Sequence, residues 1–522
     1  NGYVWERYIG TTLTSTYTPV TPPFQSNLTR NHNSNPAYNY VYSGQLDYRS
    51  SFGKHNVSAL TLAQRRVSQS GAGFRHFEEN YVGRATYDYE GRYLFEATIG
   101  ISGSEQFAPK NRFGYFPAFA GGWNIAKEKF MKTLLPQLNN LKIRYSSGIS
   151  ANDNTGSGYL YISDYSNYRN VILGAPGTAT TVQTVREGSV PNINAQWEPI
   201  RKKNLGIEAG AFNNKLTLTV ELYEEKRTGI LMARRSLADW FGQNLLALNI
   251  GSVEKHGYEV EAGYNGRFNK FNYFVKGNYN FTENRVINQD DPGLTPDYLK
   301  RAGKPIGFNN TQLNIGYYQD LDAIANYSLR QTDLITPGAD MVLDFSGDAT
   351  TSNDNVPIGH SDRPDHTFSL SAGISNSSFD FSFMIQGANS VTRNNGGYTN
   401  PLWTNDPGEM YVMVKNSDDV WTPANRNAKY ASWGAWSPGS KALQNAKYAR
   451  LKTVELGYNF SGSFVKAVGF SSARLALQGA NLITWAPDYI LGDPENERTV
   501  DNTGFSFYPI PKRLTIAFKV NF

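Results

Sequence analysis

No cysteine and only six scattered histidines limit the chemistry open to this 522-residue chain. Without Cys there is no thiol nucleophile, no disulfide framework and no zinc ribbon. No Gly-x-Ser-x-Gly elbow presents a serine, and His32, His55, His76, His256, His360 and His366 form no His-x-x-x-His pair with a Glu beside it. Glu259 and Glu261 have the composition of a glycosidase pair, but residues two apart on a strand share a face, which reads as a hydrated wall. "GAGFRH" (residues 71–76) lacks the last glycine of a nucleotide loop and lies between strands, as a loop tip does. In "DFSGDATTSNDN" (residues 344–355) Asp344, Asp348 and Asp354 offer oxygen ligands that calcium accepts, at a spacing unlike the EF-hand loop. The simpler reading is a solvated acidic loop, so no cofactor is expected. These patterns build no catalytic constellation, and the chain reads as a non-enzyme.

Binding chemistry is better represented. Tyr159, Tyr161, Tyr165 and Tyr168 fall in one long irregular segment, and Trp403, Tyr411, Trp421, Trp433 and Trp436 in another. Aromatic faces flanked by Asn, Asp and Arg supply rigid apolar area beside hydrogen-bonding groups, a combination suited to sugar rings or extended peptides. The competing reading packs these rings upon their own loops or beneath a covering protein.

The elements that carry these loops alternate with a period of two. In the closing "PKRLTIAFKVNF", Leu514, Ile516, Phe518, Val520 and Phe522 alternate with Arg513, Thr515, Ala517, Lys519 and Asn521. The same pattern recurs around Leu218, Val260, Phe271–Phe281, Phe368 and Phe381, always with one apolar and one polar face. Tight polar turns at residues 50–56, 88–93, 212–216, 265–271 and 375–379 take turns with long segments such as 151–199 and 392–445. Short turns at one end and long loops at the other characterise an up-and-down transmembrane β-barrel. Tyr48, Phe52, Tyr264, Phe271, Tyr458 and Phe460 stand near strand ends, where membrane barrels carry aromatic girdles. The pattern predicts an all-β antiparallel barrel of roughly 17 strands, with the last strand closing it at the periplasmic rim. Residues 126–138 read as a short helix at a turn, and no fixed-period repeat marks a propeller.

Composition agrees with a membrane wall. Aromatic residues make up 14% and charged residues 18%, with 33 Tyr and 48 Gly, which suit strands and turns. Net charge is only +5 with no long basic run, so nucleic acid is not an expected partner. Mean hydropathy is negative, as a barrel allows because half of each strand faces water. A β-sandwich is the soluble alternative. The opening "NGYVWERYIG" has no basic end followed by an apolar core, so a signal peptide is not expected within it.

Several stretches go further than class. "YVGRATYDYEGRYLFEATIGISGSEQFAPKNRFGYFPAFAGGWNIAKEKFM", "LNNLKIRYSSGISAND", "WEPIRKKNLGIEAGAFNNKLTLTVELYEEKRTGILM", "NIGSVEKHGYEVEAGY", "KRAGKPIG", "VPIGHSDRPDHTFSLSAG", "YARLKTVELGYNF", "ARLALQGANLITW" and "YPIPKRLTIAFKVNF" occur in this order. Together they closely resemble the barrel of the SusC/RagA family of TonB-dependent outer-membrane transporters. The resemblance implies a barrel of about 22 strands around a plug. It also implies coupling to TonB–ExbB–ExbD, a SusD-like lipoprotein lid, outer-membrane lipid around the wall, and import of a glycan or oligopeptide. Pairing of two transporter–lipoprotein units is a further implication. Residues 1–522 correspond to the carboxy-terminal part of such a barrel, and nothing in them resembles a plug or TonB box. The runner-up function is a binding or adhesion barrel without a transport cycle.

Single cysteines at Leu218, Val260, Phe381 and Phe518 are expected to react with a lipid-soluble maleimide, and those at Thr219, Glu261, Ser382 and Lys519 with a water-soluble one. Equal reactivity of the two sets would refute the barrel.

Overall fold

The computed structural model describes residues 37–522 apart from 71–73, 157, 176–177, 330–334, 395–418, 429–430, 433–438, 461, 468, 490–492 and 496–509. One antiparallel sheet of 15 strands dominates it, each strand paired with its neighbours in chain order. The strands are Tyr38–Phe52, His55–Gln69, His76–Tyr89, Tyr93–Ser104, Phe113–Asn124, Leu138–Asn152, Glu198–Ala211, Leu216–Met232, Leu248–Phe268, Phe271–Asn288, His366–Ser375, Phe379–Asn389, Tyr448–Asn459, Ser472–Trp485 and Arg513–Asn521. No helix among the described residues is long and apolar enough to cross a membrane.

Register turns the two-residue period into two continuous faces. Leu218 stands opposite Ala209 and Ala262, and the row continues through Gly277, Leu370, Ile385, Leu451 and Ile483. One residue along, Thr219 stands between Glu208 and Glu261, and that row continues through Asn278, Ser369, Gln386, Arg450 and Thr484. The first row is wholly apolar and the second wholly polar. A one-residue slip in any strand would set polar groups against lipid, so the pattern specifies the register. Val260, Phe381 and Phe518 lie on the apolar face and Ser382 and Lys519 on the polar one, as their alternation predicts.

The short turns hold this register. Phe52 pairs with His55 across two residues, with Gly53 at φ +63°, and Phe268 pairs with Phe271 across two, with Asn269 at φ +51°. Positive φ suits the tight hairpin turns whose twist matches that of the strands. Phe212, Asn213 and Asn214 all have positive φ, and the Asn139 carboxamide oxygen accepts from the backbone N–H of Asn213 and Asn214. Rings pair across strands at this end: Tyr89 with Tyr93 at 6.3 Å, Tyr264 with Tyr273 at 5.8 Å and Phe379 with Tyr458 at 4.9 Å. They form the girdle expected at a membrane interface.

The wall has 15 strands among the described residues, in keeping with the roughly 17 expected to within a few. Some of the counted alternation belongs to long segments that fold on themselves: Tyr165–Leu173 pairs with Thr180–Glu187, and Phe308–Gln312 with Asn355–Ser361. Asn314–Tyr317 pairs with Asp340–Val342, and Thr392–Asn394 with Leu443–Asn445. The predicted helix over 126–138 shrinks to a turn at Ile125–Lys127 and a helix at Lys129–Leu134, followed closely by Pro136. The strand bearing Leu514, Ile516, Phe518 and Val520 pairs with Ser472–Trp485 alone, and Tyr38–Phe52 with His55–Gln69 alone. Among the described residues these two strands are the sheet's edges.

Leu477 lies midway along its strand between Leu456 and Ile516 on the apolar face. Leu477→Arg should cost about 2–4 kcal/mol in urea unfolding from phosphatidylcholine bilayers, and Gln478→Arg, facing inward, far less.

Candidate functional site: the hydrated inner wall and its outer crown

On the polar face, Thr219, Glu221, Glu259, Glu261, Asn278, Asn280, Ser369 and Gln386 line a hollow of about 600 Å³. Its charges are largely matched. Lys276 Nζ lies 2.8 Å from Glu261, and Arg144 bridges Glu208, at 3.0 Å, and Glu221. Farther round, Arg474 joins Asp380 and Glu455, and Arg84 donates twice to Glu96. Glu259 and Glu261 are therefore wall positions beside a lysine, without the enclosed geometry of an acid–base pair.

The long segments gather above this wall as a folded crown. Phe107 from one loop, and Leu160 and Ala195 from the two ends of another, are buried together against Trp197, Leu231, Leu246 and Ala247. Trp197 donates its indole N–H to the Arg112 carbonyl at 3.0 Å, and its ring lies 5.4 Å from Phe107. Burying Phe107 and Leu160 contributes about 1.5–3 kcal/mol each, enough to hold these loops in one arrangement.

Opposite charges stitch the crown elsewhere. Arg235 places its guanidinium 2.6 Å from Asp291, while Asp290 accepts from the backbone N–H of Arg235 and Ser236 at 2.7 and 2.9 Å. Lys441 lies 2.6 Å from the buried Asp340 and over the Tyr317 ring. Arg450, 2% exposed, forks onto Asp493 at 2.8 Å and reaches Glu495 at 3.0 Å. Lys452 and Gln386 also hold Glu495, so residues 493–495 are drawn down onto the inner wall. Breaking a buried pair of this kind costs more than its formation yields, because the orphaned charge stays desolvated.

The structure divides the tyrosine cluster. Tyr159 stacks on His76 at 6.3 Å, meets Phe74 and Tyr161 edge-on, and donates to the Arg75 carbonyl. Burial pushes its phenol pKa up, with Glu105 adding to the shift. Tyr161 donates to the Glu105 carbonyl, so both rings join loops together. Tyr165 and Tyr168 stand apart on the outer hairpin, largely exposed, and the Arg169 and Arg186 guanidiniums lie 4.6 and 4.7 Å from the centre of the Tyr168 ring. Trp421 is buried against Gly338, a packing role that removes it as an exposed ligand contact. Trp403, Tyr411, Trp433 and Trp436 lie outside the described residues.

The acidic loop satisfies much of its own backbone. Asp344 accepts from Gly347 and Ala349, Asp348 from Thr350 and Asn353, and the fully buried Asp354 from Ser346. Hydrogen bonds from Thr350 lead in holding the Asp348 carboxyl below its ordinary value. Among the described residues no three His, Asp or Glu side chains come together as a metal-holding group.

Sequence reasoning did not find Arg450, Lys452, Asp493 and Glu495, or Arg235 with Asp290 and Asp291. The only local signal was two cations close together in "YARLKTVEL", with "DPE" about 40 residues later.

A hydrated inner face, an apolar outer face, an aromatic girdle and a crown of long loops define an outer-membrane β-barrel wall. No family model matches the chain. It is 26% identical to the TonB-dependent receptor P3 of Formosa agariphila over 543 residues, covering 93% of this chain and 52% of that protein. It is also 26% identical to the TonB-dependent receptor SusC of Bacteroides thetaiotaomicron, over 73% of this chain and 38% of SusC. The structure of the RagAB peptide transporter superposes with a TM-score of 0.69 at 18% identity, over 92% of this chain and 55% of that one. Over most of its length the chain resembles the TonB-dependent receptors, SusC among them, and it shares its fold with the RagAB transporter. It spans about half the length of the first curated relatives it matches.

In the crown, burial pushes Asp290 and Asp291 up. Backbone donors from Ser236 and Arg235 to Asp290, and from Ala302 and Arg301 to Asp291, outweigh it and hold both carboxyls below the ordinary aspartate value. A depressed folded pKa gives stability that is complete above the ordinary value of about 3.9 and is lost as pH falls through the lower folded value. Hydrogen-exchange protection at the amides of Arg235, Ser236, Arg301 and Ala302 should persist at pH 5 and collapse only in stronger acid, before the wall strands open. Loss of protection between pH 7 and 5 would refute this.

Proposed function

We propose that the chain is the carboxy-terminal portion of the barrel of an outer-membrane importer for a large nutrient, a glycan or an oligopeptide. The observation that carries this reading is the continuous polar row from Glu208 to Thr484, backed by an apolar row one residue away. A wall that is hydrated inside and apolar outside suits the passage of a polar solute through lipid. Fifteen strands already make a wide arc, and a lumen of that size must be plugged at rest. Transport through a plugged barrel needs energy delivered from the periplasm. In this proposal the rest of the polypeptide supplies the plug and the contact with TonB–ExbB–ExbD.

The crown would meet a SusD-like lipoprotein that captures the nutrient. Tyr165 and Tyr168, exposed on the outer hairpin, are the described aromatic residues best placed to touch a ligand or that partner. Peptide cargo is named for the RagAB relative, whereas SusC and the Formosa receptors are named without a cargo, so both nutrient classes stay within the proposal.

Cells carrying the intact gene should accumulate a fluorescent oligosaccharide or oligopeptide in the periplasm. Deletion of either the gene or tonB should abolish that accumulation, and the purified protein should carry a lipoprotein. Surface binding that survives tonB deletion, with no periplasmic signal from either probe set, would establish an adhesion barrel instead.

A further inference from the structure

The periplasmic connection between Phe113–Asn124 and Leu138–Asn152 holds an amphipathic helix that the transport reading does not use. In Lys129–Leu134 the sequence is KFMKTL, followed by Leu135. At 100° per residue, Phe130, Met131, Leu134 and Leu135 occupy one arc, and Lys129, Lys132 and Thr133 the opposite one. A short helix normally turns its apolar arc toward the protein. Here Phe130 is 56% exposed, Leu134 72% and Leu135 50%.

The helix is tethered on the lipid side of the wall. Glu128, its N-cap residue, accepts from the Trp123 indole N–H at 3.1 Å and also interacts with the Tyr93 hydroxyl. Tyr93 and Trp123 stand opposite each other, and Trp123 opposite Ile143, on the apolar face. The hydrogen bonds from these two girdle rings hold the Glu128 carboxyl below its ordinary value. Arg92 adds a cation 3.7 Å away, and Ile125 and Ala126 are buried in the preceding turn. The exposed apolar arc is thus continuous with the lipid-facing belt and is fixed at the girdle by two hydrogen bonds.

We propose that this helix lies in the inner leaflet of the outer membrane as an interfacial anchor. Phe130, Leu134 and Leu135 enter the acyl boundary, and Lys129 and Lys132 meet phospholipid phosphates. Three features favour lipid over a protein partner: continuity with the belt, cations on the arc away from the acyl chains, and tethering through girdle rings. An apolar face with Lys on the polar side is the signature of a helix lying in the interface plane. Cations there are attracted to anionic lipid.

The chain has no cysteine, so single nitroxide labels can be placed cleanly in it. The full-length protein, with any cysteine outside this chain replaced, would carry labels at Phe130, Leu134, Lys132 or Phe119. It would be reconstituted in nanodiscs of phosphatidylethanolamine and phosphatidylglycerol. Phe119, exposed on the outer face, reports whether the wall itself meets lipid. Collision rates with dissolved oxygen and with a water-soluble nickel chelate give the depth of each label. Labels at Phe130 and Leu134 should collide several-fold more with oxygen than with nickel, as at Phe119, while the Lys132 label favours nickel. Lys129→Gln with Lys132→Gln should move the Leu134 label toward water, and the move should shrink when phosphatidylglycerol is omitted. Equal nickel access at Phe130, Leu134 and Lys132, with Phe119 still in lipid, would overturn the anchor but keep the barrel. Labels at Phe130 and Leu134 shielded from both reagents would overturn it in favour of a protein covering. A water-exposed Phe119 label would overturn the barrel reading as well.

Discussion

Inside a bilayer a backbone N–H or C=O without a partner costs several kcal/mol, and this constraint governs the whole molecule. Fifteen strands in chain order, each paired with its neighbours, meet it by ladder hydrogen bonds rather than by burying a core. The wall consequently has few buried side chains, and large exposed apolar residues run along nearly every strand. In water such a surface would mark an aggregation hazard. In lipid it is the outer face. The same constraint applies to Tyr38–Phe52 and Arg513–Asn521, the sheet's edges among the described residues, which must meet other strands wherever they lie in hydrocarbon.

The wall and the crown are built on different principles. Wall strands are fixed by register and by two-residue turns with positive φ, both local properties. The crown is fixed by contacts between residues far apart in the chain: Phe107 with Leu160 and Ala195, Arg235 with Asp291, Arg450 with Asp493. Conserving the first leaves room for change in the second. A loop can be rebuilt above an unchanged wall because the strand below it is held from the other end.

This division also explains what could be read in advance. The faces of Leu218, Thr219, Val260 and Glu261 follow from alternation alone, because a period of two leaves no other arrangement with one wet side. The turns at residues 53–54 and 269–270 were legible from Gly and Asn between aromatic strand ends. The strand total was legible only to within a few. Short pairings such as Thr392–Asn394 with Leu443–Asn445 have the same local pattern as wall strands, and their partners depend on how distant loops meet. The aromatic clusters were visible as composition, but composition cannot separate a ring that joins loops, as Tyr159 does, from one left in the open, as Tyr165 is. For the buried Arg450 sequence showed a cation on a polar face and gave no sign of Asp493 above it.

The paired charges along the inner wall bear on what can move past it. Arg84 with Glu96, Arg144 with Glu208 and Glu221, Lys276 with Glu261, and Arg474 with Asp380 and Glu455 set opposite charges within a few ångströms of each other. Seen from the middle of a wide lumen, each group is close to a dipole, whose field falls much faster with distance than that of a lone charge, and salt weakens it further. Such a lining offers a polar solute hydrogen bonds at every height without a deep electrostatic well in which to stall. Under the import proposal, selection by charge would fall to the entrance, and the shaft would act as a lubricated sleeve.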